Sequence, residues 1–167
     1  MARVHWLPEV PGEIRSHDPL MVSNYEDLFY GPPAPSIDMS PEAWATVLQR
    51  SPARLRRLLR MALFAQRRIL GLRLGRHSAE HLFGWSVAER GDHWFRLEAS
   101  SWMGEAHLVF HSDERHVSVA TLLRYDRPIG KVIWAPVAFG HRMVGLALLS
   151  YVLNAPTLRL SRRRSTV

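Results

Sequence analysis

The sequence predicts one α+β domain of helix-grip type: a curved antiparallel sheet wrapped around a long C-terminal helix, with two short helices after the first strand. Three observations carry this. From Gly84 to Tyr125 apolar and polar residues alternate with a period of two, and tight-turn residues break the run three times. From Pro128 to about Asn154 the chain is apolar nearly all the way round, as a helix enclosed by other elements must be. Between the first strand and that meander stand two segments with helix-start signals.

Residues 1–19 contain Pro8, Pro11 and Pro19 and have no periodicity, so they are expected to form an irregular arm laid over the surface. The domain proper is expected to run over 20–154. Val22, Tyr25, Leu28, Phe29 and Tyr30 suit a first strand, closed by the turn Gly31-Pro32-Pro33. Ser40-Pro41-Glu42 supplies a capping hydroxyl, a proline at the first helical position and an acid in the first turn, which predicts a helix to about Gln49. Ser51-Pro52 repeats the start signal, and the break between the helices follows because proline disfavours helical geometry in the residue before it.

The second helix is expected to run from Pro52 to about Leu70 and to end at Gly71. Leu55, Leu58, Leu59, Ala62, Leu63, Ile69 and Leu70 gather on one side of it. Arg56, Arg57, Arg60, Arg67 and Arg68 take the other. A polar loop over 71–83 follows, then strands near 84–90, 93–101, 104–112 and 115–125. Phe95, Leu97, Ala99, Ala106, Leu108 and Phe110 share the face meant for a core. In the last segment Lys131, Pro136 and the pair His141-Arg142 interrupt a membrane-spanning reading, since a charge at bilayer depth costs about 2.5–3.5 kcal/mol. Residues 155–167 read as a basic, disordered tail.

Composition narrows the chemistry. With 47% apolar and 22% charged residues in 167, the chain has the balance of a globular protein. The absence of cysteine removes disulfides, thiolate nucleophiles and sulfur-ligated zinc, and fits a cytoplasmic location. Net charge is +7, and 21 of the 22 basic residues are arginine. That skew signals guanidinium recognition only where arginines cluster, as they do on the second helix.

Three stretches carry a family resemblance: Gly104 to Phe110 (GEAHLVF), Tyr125 to Lys131 (YDRPIGK) and Ala138 to Val144 (AFGHRMV). Together with the element order they resemble a domain-of-unknown-function family related to the START and birch-pollen-allergen-like SRPBCC superfamily, over roughly residues 20–154. The resemblance implies a cavity between sheet and last helix. It does not name a ligand, since relatives bind lipids, hormones or polyketides, some catalyse cyclisation, and others only contact proteins. Gly140 stands before His141 where the family pattern leads one to expect a phenylalanine.

His141 shares a helical face with Trp134, Val137 and Val144, so it either orients a ligand in an apolar pocket or satisfies a backbone carbonyl in the core. The expected pocket residues are His141, Trp134, Val137, Leu108, Phe110, Phe95 and Trp85. His77, Glu80 and His81 lack the H-E-x-x-H pattern and a third ligand, so no metal and no cofactor are expected. His107, His111 and His116 alternate against apolar neighbours and are expected to face solvent. No nucleophile elbow, phosphate loop or dinucleotide fingerprint is present. The arginines Arg56, Arg57, Arg60, Arg67 and Arg68 are read as a solvated face first, a contact for anionic membrane or protein second, and a nucleic-acid surface last.

The expected function is therefore binding of a small apolar or amphipathic molecule. A protein or membrane-surface interaction module, dimer included, ranks second. A cyclase or dehydratase using His141 ranks third.

Overall fold

The computed structural model describes residues 2–34, 37–75, 78 and 80–155. The expected basic tail, apart from Ala155, lies outside these residues, as does His77. In chain order the elements are β1 (His5–Leu7), α1 (Gly12–Arg15), β2 (Tyr25–Gly31), α2 (Pro41–Gln49), α3 (Ala53–Arg68), β3 (His81–Leu82), β4 (Trp85–Arg90), β5 (Trp94–Ser101), β6 (Gly104–Ser112), β7 (Val117–Tyr125) and α4 (Ile129–Asn154). The strands form one curved, seven-stranded antiparallel sheet in the order β1-β2-β7-β6-β5-β4-β3, with α4 packed against it.

Local chemistry explains the element ends. Ser40 Oγ accepts a hydrogen bond from the Ala43 amide at 3.2 Å and so satisfies one of the amides that α2 leaves open. Gly71, with φ of 64°, turns the chain after α3 in a conformation that costs glycine little. β2 pairs with the last strand, β7, with Phe29 opposite Val119 and Asp27 opposite Thr121. That pairing seats β2 in the sheet beside β7, under α4.

The concave face holds the larger core, with Phe29, Trp44, Phe95, Leu97, Trp134, Leu149 and Val152 all buried. At Gly145 of α4 an added Cβ would lie 2.5 Å from the Phe29 ring, so the missing side chain lets α4 approach β2. The outward side of α4 stays apolar and exposed at Val132, Phe139 and Met143. By length and composition alone α4 could cross a membrane, yet its Trp134, Ala138, Leu149, Val152 and Leu153 are buried within the domain.

The second sheet face corrects an expectation. His107 and His111 do not point to solvent, because the N-terminal arm closes over them and both are buried. Ile14 of the arm and Leu20, just after it, form a second core with Leu28, Val109, Ala120 and Leu122. The arm is also tied by polar contacts. Asp18 Oδ2 lies 2.8 Å from His107 Nδ1, Arg96 donates to the His17 carbonyl at 2.6 Å, and the His17 ring stacks on Trp94 at 4.2 Å. The segment expected to be an irregular surface arm thus contributes a strand, a helical turn and core residues.

Candidate ligand cavity and its polar end

A cavity of about 120 Å³ lies between the concave face of the sheet, α3 and α4. Phe110, Leu108, Leu97 and Trp85 reach it from the strands, Leu59, Ala62 and Leu63 from α3, and Val144 and Leu148 from α4. Such a lining excludes water by offering it few partners. Of the residues expected at a pocket, His141, Trp85, Leu108 and Phe110 line this one. Phe95 stands behind, its ring stacked on Phe110 at 4.3 Å. Trp134 borders a separate crevice of about 30 Å³, and Val137 packs half-buried on the core outside both.

The wall made by α3 differs from the rest. None of its 16 residues is fully buried, and Met61 and Phe64 are 69% and 63% exposed. Arg56, Arg57, Arg60, Arg67 and Arg68 are exposed. Gln66 accepts a hydrogen bond from the Trp85 indole at 3.1 Å, a polar tie between α3 and β4.

One end of the cavity is polar. His141 Nε2 lies 3.0 Å from Thr121 Oγ1 and 3.4 Å from Asp27 Oδ1, and the imidazole is flanked by the rings of Phe29 and Trp134 at 5.4 and 5.2 Å. Asp27 is completely buried. Its other oxygen accepts from the Tyr25 hydroxyl at 2.5 Å and from the Trp6 indole at 3.2 Å. Burial alone would raise the Asp27 carboxyl, but hydrogen bonds from His141, Tyr25 and Thr121 outweigh it and hold the group below the usual range. Burial also pushes the Tyr25 phenol well above its ordinary value, and the adjacent carboxylate adds to this, so Tyr25 stays a donor.

The ionised Asp27 is an acceptor only, which calls for the ring proton of His141 on Nε2. Nδ1 is left as an acceptor, and it makes no hydrogen bond among the described residues. The arrangement can orient a hydroxyl or carboxyl group at the edge of an apolar space and take up its proton. Asp27, Tyr25 and Thr121 were not expected at the site. The signal lay in the strand period, which puts Asp27 on the same face as Tyr25 and the core residue Phe29.

Fold and cavity define an α+β protein of helix-grip shape. No family model, curated protein or solved structure matches the chain.

Proposed function

We propose that the chain is a cytoplasmic member of the START and SRPBCC-like group that binds a small, largely apolar molecule bearing one hydroxyl or carboxyl group. The observation that carries this reading is the apolar cavity lined at one end by the His141 imidazole, which Asp27 and Thr121 hold in place. Size limits the ligand. Pockets for drug-sized molecules span roughly 300–1,000 Å³, whereas an apolar cavity of roughly 150 Å³ takes benzene. At about 120 Å³ the space fits a single ring or short branched chain, and anything larger requires α3 to move outward.

Trp44 and Trp85 line the cavity, so tryptophan fluorescence reports occupancy directly. Alkylphenols, short-chain acids and small terpenoid alcohols are expected to include compounds that give saturable changes. A linear response to every compound would remove the proposal.

A second reading rests on α3, where exposed Met61 and Phe64 share the helix with Arg56, Arg57, Arg60, Arg67 and Arg68. Apolar anchors beside guanidinium groups suit the surface of an anionic membrane. Sedimentation with anionic vesicles that is lost with neutral lipid or high salt supports this reading, and equal recovery with both lipids opposes it.

A further inference from the structure

On the sheet face opposite the cavity, under the N-terminal arm, lie groups that neither reading uses. Among the described residues Glu13 of α1, His111 at the end of β6 and Asp113 in the β6–β7 turn bring one ligand atom each within 4.8 Å of one another. The His111 side chain is only 8% exposed, and its Nδ1 is a buried nitrogen with no hydrogen-bond partner among the described residues. Buried polar atoms are nearly always partnered, so this one asks for an occupant. Asp113 Oδ2 lies 3.9 Å from it.

Asp113 is held ready for this role. Its Oδ1 accepts from the amides of Arg115 and His116 at 2.7 and 2.8 Å, and His116 Nδ1 lies 3.1 Å from the same oxygen. Oδ2 is thereby left to face His111. Such a division, with one carboxylate oxygen fixed by outer partners and the other free, is how proteins orient metal ligands. The His111 ring is itself steadied by the imidazole of His17, stacked at 5.6 Å.

We propose that Glu13, His111 and Asp113 bind a divalent cation of zinc type, pinning the N-terminal arm to the β6–β7 turn. Donors around a tetrahedral zinc at about 2.1 Å stand ~3.4 Å apart, so the present 3.9 Å between His111 and Asp113 needs only a small contraction. Three protein donors leave a fourth position for water. Imidazole with two carboxylates favours zinc or its transition-metal neighbours over calcium and magnesium, which prefer oxygen donors alone.

The test is calorimetric titration of the full chain with zinc chloride after dialysis against a chelator. One zinc per chain is expected. Glu13→Gln, a change at an exposed position that leaves the fold intact, should weaken binding at least tenfold, and His111→Gln should abolish it. His81→Gln, away from the cluster, should leave it unchanged. A second readout is tryptic cleavage after Arg15, which zinc should slow in the wild type and not in Glu13→Gln. Absence of zinc binding, equal binding in wild type and Glu13→Gln, or preference for calcium would each overturn the assignment.

Discussion

Asp27 and His141, 114 residues apart in the chain, meet at 3.4 Å across the interface between β2 and α4. The carboxylate is wholly buried and the imidazole mostly so. This contact joins the first long strand to the last helix at the polar end of the cavity.

Removing the carboxylate leaves several buried donors without an acceptor. Asp27→Ala is expected to cost about 3–5 kcal/mol, as when one partner of a buried pair is deleted. Asp27→Asn keeps the shape and should cost about 1–3 kcal/mol. Combining Asp27→Asn with His141→Ala should lose less than the two single costs added, by about 0.5–3 kcal/mol. Urea unfolding measures all three. Strict additivity would show that the two side chains do not interact.

The two buried aspartates also predict an acid limit. Burial raises the carboxyls of Asp18 and Asp27, but hydrogen bonds from His107 and His141 respectively outweigh it, so both lie below the ordinary value. The unfolded chain then binds more protons than the folded one once pH falls to about 4. The stability these two carboxylates contribute should be constant above that pH and fall progressively below it, as each group is protonated through its lowered folded value. Urea midpoints between about pH 6 and pH 2 follow this, and Asp18→Asn should flatten the slope.

Two glycines of α4 predict opposite outcomes for the same substitution. An added Cβ at Gly145 meets the Phe29 ring at 2.5 Å, so Gly145→Ala should destabilise by about 1–3 kcal/mol. Nothing lies within 4 Å of a Cβ at Gly140, and Gly140→Ala should stabilise by about 0.5–1 kcal/mol through helix propensity. Thermal unfolding distinguishes the two.

Because α3 has no fully buried residue, it is expected to open at lower free energy than the sheet. Amide exchange over Leu58–Gln66 should therefore be faster than over Val117–Leu123. Occupancy of the cavity should slow exchange in α3 specifically, since Leu59, Ala62 and Leu63 line it.

Strands β2 and β4 to β7, the starts of α2 and α3 and the packing of the sheet on α4 were legible, because each rests on a local signal. Examples are the alternation from Phe95 to Phe110 and the serine-proline pair at Ser40 and Pro41. The arm was not legible. Ile14 and Leu20 are isolated apolar residues in polar text, and only the tertiary fold shows that they complete a core over Leu28, Val109 and Leu122. His107 and His111 were misplaced for the same reason: the strand period gives their face correctly but cannot tell what covers it. At the cavity, His141 stood out as a polar residue on an apolar helix. Asp27, its partner, was hidden in Tyr25-Glu26-Asp27, where an acid on a strand reads as surface charge.

The central claim is that the space between Phe110, Leu63 and His141 admits a ligand. Ala62→Phe places a phenyl ring in that space from α3, away from the Asp27 network. Titration calorimetry with a small alkylphenol should show one saturable site in the wild type and none in Ala62→Phe, with the circular dichroism of the two unchanged. Equal binding in both proteins, or binding in neither, would contradict it.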